Sequence, residues 1–171
     1  LYKNRLICGM YKANYQSLFS NEGDFSMHHS SALNYAFIDL RHKYDVLLFI
    51  DHDMFPFKGT IILQDAANYH FAGYKQRVNG VTYLHPGFIA INTSKVNFVD
   101  FSPCEGLDTG GKIAAYITRE NTYFVPYAKN EEIGYEIIND SFMHFVKGSN
   151  WNKSDDHEER LKKLFDILYK L

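Results

Sequence analysis

Cysteine is almost absent from this chain. Its 171 residues include two, Cys8 and Cys104, too few for a disulfide framework and without CxxC spacing, so both read as ordinary thiols of a reducing, cytoplasmic compartment. Long hydrophobic runs are missing as well. The apolar run Val46 to Ile50 falls far short of the ~20 residues that span a bilayer, so no integral membrane segment is expected. No block of like charge forms a tail, and the formal net charge is -2, which argues against a nucleic-acid surface and leaves any anionic ligand to local groups. Internal repeats, low-complexity tracts and Gly/Ser/Pro-rich linkers are lacking, so a single domain over 1–171 is expected. No signal peptide opens the chain, and its start at Leu1 rather than Met gives the expectation of a fragment.

What is present is core-forming. Apolar residues make up 46% of the chain, aromatics 16% and charged residues 22%, a globular composition able to bury about two thirds of the unfolded surface. "RLICGMY" reads as a short strand. Leu33, Ala36, Phe37 and Leu40 recur at helical spacing behind serines suited to capping, which predicts a helix of about ten residues. Tyr44 to Ile50 is apolar without alternation, the pattern of a strand buried on both faces. A short helix is expected in "GTIILQDAANYHF", then strands broken by "NG" and "HPG" turns up to Val96. "CEGLDTGGKIAAYITREN" predicts a glycine-rich loop becoming a helix, "TYFVPYA" a strand, and the stretch from there to Trp151 irregular chain. The end of the chain carries Leu161, Leu164, Phe165, Leu168 and Leu171 on one side, an amphipathic helix packing on the body. Strands alternating with helices predict an α/β fold with a mostly parallel central sheet flanked by helices.

The chemistry concentrates where the apolar run ends, at Asp51-His52-Asp53. Two carboxylates spaced i, i+2 at a strand exit can reach one cation if the chain curves there, offering the hard oxygen ligands that Mg²⁺ or Mn²⁺ prefers. Pro56 halts the strand's continuation, and Phe55 and Phe57 wall the spot from water. Paired acids beside aromatics are costly to bury without a cation. His28 and His29 are not read as a metal pair, because adjacent side chains diverge.

"LNYAF…YDVLLFIDHDMFPF" resembles the middle of a nucleotide-sugar glycosyltransferase of the GT-A fold, in which a helix leads to a strand ending in the DxD motif. "LHPGFIAINTSKV" is similar to the strand after that motif, "EGLDTGGKI" to the segment with an acidic residue at a helix start, and "MHFVKGSNW" to the late segment that supplies a histidine ligand. The resemblance covers about Ser26 to Trp151. It implies a GT-A-like domain whose leading nucleotide-gripping strand is shortened or absent, since only some 25 residues precede the helix. The acidic motif departs from the family in offering "LD" where a Glu-Asp pair is usual.

That resemblance implies a metal-dependent transfer of a sugar from a nucleotide-sugar donor to a hydroxyl acceptor such as a glycan. Asp53 and His144 would ligate Mn²⁺ or Mg²⁺ directly, with Asp51 on the metal through water or on the ribose. Asp108 would be the general base, its competing role being an ordinary cap or turn former. Asn34, His52, Gly87, Lys147 and Ser149 would line the donor site. Strand alternation turns His52 away from the acids, and Asn34 is equally suited to a core-facing structural role. Trp151, the lone tryptophan, would stack on the acceptor sugar. Two other readings remain open: a haloacid-dehalogenase-like phosphatase, although that group continues its motif with Gly-Thr rather than Met-Phe-Pro, and a sugar-nucleotide- or glycan-binding module without turnover.

Overall fold

The computed structural model describes residues 25–51, 53–56, 62–130, 134–145 and 157–169. Helix α1, Phe25–Leu40, is longer than the periodicity predicts. It lays Phe37 into the core with Leu33 and Leu40 beside it. Ser30 and Ser31 are not caps: both lie inside the helix and donate back to the Met27 carbonyl, satisfying their hydroxyls locally. The predicted strand at "RLICGMY" lies outside the described residues.

β1, Val46–Ile50, runs antiparallel to β4, Val81–Asn92, with Val46 opposite Asn92 and Ile50 opposite Phe88. β3, Phe71–Val78, is β4's hairpin partner through Asn79 and Gly80, both at positive φ, the geometry an Asn-Gly turn favours. β5, Thr122–Val125, adds to β3 as the one parallel pair among the described residues, completing a sheet of order β1-β4-β3-β5. The second sheet, of order β2-β8-β7-β6, is antiparallel throughout. It is built from β2 (Met54–Pro56), β6 (Tyr127–Asn130), β7 (Tyr135–Ile138) and β8 (Phe142–Phe145). Helix α2, Ile62–Asn68, crosses between β2 and β3. Buried Asn92 donates its amide to the Ala66 and Ala67 carbonyls and so closes α2's C-terminal end. Helix α3, His157–Leu168, is the predicted C-terminal helix. Its Ile167 packs toward Met143 and Phe145, whereas Phe165 is half-exposed. The side chains of Leu161, Leu164, Leu168 and Leu171 lie outside the described residues.

These observations overturn the expected mostly parallel, GT-A-like sheet flanked by helices. The strands are mostly antiparallel, form two sheets, and have few helices about them. The apolar run misled because it does not report which way its neighbour runs, and the expected burial on both faces is only partial: Leu47 is buried, Val46, Leu48 and Phe49 are partly buried. Leu47 and Phe49 meet one core cluster, with Phe37, Ile89 and Phe101, while Val46 and Leu48 meet another, with Phe88, Ala90 and Phe142. Even so, β1 is an edge strand, which leaves Ile50 exposed. The buried spine is β4 from Pro86 to Asn92.

Three local expectations also give way. "HPG" is not a turn: His85, Pro86 and Gly87 lie within β4, in a bulge where the register jumps from Gly73 opposite Ile89 to Lys75 opposite Leu84. Proline is tolerated there because a bulged residue owes the ladder no N–H. The segment after the glycine-rich loop is only a 3₁₀ turn, Gly111–Ala115. The stretch expected to be irregular contains the end of β6 and all of β7 and β8, and "TYFVPYA" is two strands in two sheets, β5 and the start of β6, parted at Pro126.

Candidate functional site

The acids sit where the chain leaves the first sheet for the second. Asp51 directly follows β1, and its carbonyl accepts from the Met54 N–H at 3.1 Å, turning the chain from β1 into β2. β2 then pairs with β8, setting Met54 opposite His144, and the Phe145 N–H donates to the Asp53 carbonyl at 2.9 Å. Sheet register, rather than any local signal, therefore carries His144 to Asp53 across some ninety intervening residues of chain.

Asp53 is 5% exposed and His144 7%. His144 Nε2 lies 3.8 Å from Asp53 Oδ1, beyond hydrogen-bond length, and that carboxylate oxygen is buried without a hydrogen bond among the described residues. The other ring nitrogen, Nδ1, is 2.9 Å from Glu136 Oε2. Burial pushes the Glu136 carboxyl up, but the hydrogen bond from His144, with the Lys129 ammonium, outweighs it and holds the group below the usual carboxylate range. An ionised Glu136 can only accept, so His144 donates from Nδ1.

Asp51 is held separately. Its backbone N–H donates to the Gly87 carbonyl at 2.9 Å, and its carboxylate packs so closely on the bulge that a Cβ at Gly87 would stand 2.1 Å from Oδ2. Its Oδ1 lies 3.5 Å from His29 Nε2 on α1. Among the described residues, no group of three His, Cys, Asp or Glu side chains converges to hold a metal ion. The donors brought face to face are Asp53 and His144. A divalent cation needs ligands roughly 2 Å away, and Mg²⁺-type ions keep several waters or substrate phosphates beside one or two protein groups. A buried acceptor lacking a donor, opposite an imidazole nitrogen, fits that requirement.

An aromatic wall adjoins the pair. His85 stacks on Tyr74 with ring centroids 4.7 Å apart and stands 5.6 Å from the His144 ring. The Gly87 N–H donates to His85 Nδ1 at 3.1 Å. Burial first, and then the His144 imidazole, push His85 down to about 3 from an ordinary 6.5, over the opposing pull of Glu136. His85 is thus neutral, with its lone pair engaged by backbone and its proton on Nε2. Tyr74 is raised by burial and then by the fields of Glu136, Asp51 and Asp53, so three carboxylates act on one phenol.

The Asp108 loop abuts the bulge: a Cβ at Gly110 would lie 3.2 Å from Pro86 Cβ. Gly110 at φ 84 and the Gly111 N–H donating to the Asp108 carbonyl make a tight turn that glycine's freedom permits. Asp108 is therefore a turn residue through its backbone, while its exposed carboxylate accepts from the buried Tyr83 hydroxyl at 2.9 Å.

Asn34, expected at the donor site or in a core-facing structural role, makes structural hydrogen bonds. Its Oδ1 accepts from the Phe101 N–H at 2.9 Å and its Nδ2 lies 3.5 Å from Asp100. Asp100 in turn pairs with Lys112. The amide thereby straps α1 to the 100–101 loop. His52, Lys147, Ser149 and Trp151 lie outside the described residues. His29, His85, Tyr74 and Glu136 were not singled out as site residues from the sequence. A cleft of about 300 Å³, lined by Lys75, Thr82, Ala114, Ile117, Thr118, Arg119 and Phe124, shares no residue with this group. Among the described residues no helix is long and apolar enough to cross a membrane. Comparison with protein-family models, curated proteins and solved structures finds no match for this chain.

Proposed function

We propose that this chain is a divalent-metal-dependent glycosyltransferase that moves a sugar from a nucleotide-diphosphate donor to a hydroxyl acceptor. The observation that carries the reading is the Asp53 Oδ1 atom, buried without a hydrogen bond among the described residues and facing His144 Nε2 across 3.8 Å. A buried carboxylate in that state costs free energy unless a cation completes it. Asp53 and His144 would hold Mn²⁺ or Mg²⁺, and the bound ion would neutralise charge growing on the departing diphosphate.

The remaining roles belong to the chain's own groups. Asp51, fixed against Gly87 at the rim of the same turn, faces the donor through water or the ribose. Tyr74 and His85, both neutral, wall the site without adding a charge that competes with the ion. Asp108, exposed on the loop against Pro86, takes the proton of the acceptor hydroxyl, and the Tyr83 hydroxyl fixes one carboxylate oxygen in place. The sequence resemblance at "FIDHDMF" and "MHFVKGSNW" favours glycosyl transfer among diphosphate chemistries.

A phosphatase using Asp51 as nucleophile is less well supported, because the chain continues its acidic motif with Met-Phe-Pro rather than Gly-Thr. The test is release of nucleoside diphosphate from a panel of nucleotide-sugars with Mn²⁺ present. Metal-dependent release that Asp53→Ala eliminates is the expected result. Absence of release with every donor, or release indifferent to Asp53, would remove the transferase reading.

A further inference from the structure

We infer that Glu136 is a positioning residue for the metal site: it fixes the proton of His144 on Nδ1, leaving Nε2 as a lone pair aimed at the cation. The inference rests on the reading of Asp53 and His144 as the ion's protein ligands. Three strands carry it. Lys129 on β6 is the cross-strand partner of Glu136 on β7, and Glu136 is the partner of His144 on β8. β8 is in turn paired with β2, where Met54 opposite His144 follows Asp53 directly. Directly paired residues project to the same face of a sheet. Ammonium, carboxylate and imidazole thus form one row at separations of 3.4 and 2.9 Å, and Asp53, which precedes β2 and lies outside its pairing, brings Oδ1 to 3.8 Å from the imidazole end of that row.

The row is an improbable piece of packing without a ligand. Glu136 is 5% exposed, and a buried acid-imidazole pair recovers its desolvation cost poorly on its own. With a cation beyond Nε2 the same pair becomes useful, because a carboxylate on the far ring nitrogen sets the tautomer, locks the ring and raises its basicity as a ligand. The lysine at the outer end is half-exposed, with its side chain at 54%, and acts only through Glu136.

Mn²⁺ titration of the whole chain by calorimetry tests this, comparing wild type with Glu136→Gln and Asp53→Ala. Glu136→Gln keeps the size and an acceptor but removes the charge. It is expected to weaken Mn²⁺ binding about 10–100-fold while the protein stays folded by circular dichroism. Unchanged affinity in folded Glu136→Gln, beside lost affinity in Asp53→Ala, would overturn the role of Glu136 and leave the metal site standing. Unchanged affinity in Asp53→Ala would instead remove the reading beneath it. If Glu136→Gln does not fold, ¹⁵N NMR of the wild-type His144 ring decides: the proton is expected on Nδ1 in the metal-free and Mg²⁺-loaded protein. A ring whose only proton sits on Nε2 overturns the inference.

Discussion

Gly87 shows how narrow the tolerances are around the acids. An added methyl would stand 2.1 Å from Asp51 Oδ2 and 3.0 Å from its Cβ, and the end of a carboxylate can swing aside where backbone cannot. Gly87→Ala is therefore expected to cost no more than the usual ~1–3 kcal/mol of overpacking while displacing Asp51 and weakening metal-dependent donor binding. Paired urea denaturation and donor titration would separate the two effects. Asp108→Asn keeps an oxygen for the Tyr83 hydroxyl, so donor binding and stability should survive while turnover falls at least 100-fold, the ordinary contribution of a general base. An unaffected rate would end its assignment as base. At this scale the position of the two acids at the exit of β1 was legible, because they interrupt an apolar run beside Pro56 and aromatic residues. Glu136, His85 and His29 were not, since nothing local marks them: each meets the site through a register or a helix packing that only the folded chain sets. Asn34 was legible as a polar residue on a helix, but its hydrogen bonds to the 100–101 loop were not.

Among elements, the β4 bulge decides most. It seats Pro86 under the Asp108 loop and Gly87 under Asp51, and opposite it Gly73 lies so close that a Cβ would meet the Phe88 carbonyl oxygen at 2.7 Å. That neighbour is backbone in a buried strand. Gly73→Ala should therefore destabilise the fold by ~3 kcal/mol or more, at or beyond the upper end of overpacking costs, and clearly more than Gly87→Ala, as read from the same urea midpoints. Equal costs at the two glycines would contradict the geometry. Three of the four expected helices and the Asn-Gly hairpin were readable because their signals are local, the fourth being the 3₁₀ turn at Gly111–Ala115. Strand direction was not, since an apolar run such as Val46–Ile50 looks the same beside a parallel or an antiparallel neighbour. Pro86 and Pro126 show the same ambiguity: one sits inside a strand at a bulge, the other parts two strands that join different sheets.

For the molecule as a whole, His85 makes stability depend on pH. Its folded value of about 3 lies below the ordinary 6.5, so on acidification the unfolded chain binds a proton that the native state refuses. Stability is full above about pH 6.5 and falls as pH drops toward 3. Glu136, also depressed, adds its own loss only below the ordinary carboxylate value of 4.5, so the interval between pH 6.5 and 4.5 isolates the imidazole. Urea midpoints should decline across that interval in wild type and flatten in His85→Asn. Asp51 and Asp53 stand where β1 of one sheet leads into β2 of the other, and the proposed transfer requires that junction to gather a cation. A crystal grown with Mn²⁺ and a nucleoside diphosphate tests it most directly. The expected result is an anomalous peak roughly 2 Å from both Asp53 Oδ1 and His144 Nε2, with phosphate oxygens completing the shell. A saturated crystal with Mn²⁺ bound elsewhere, and nothing between those two atoms, would contradict it.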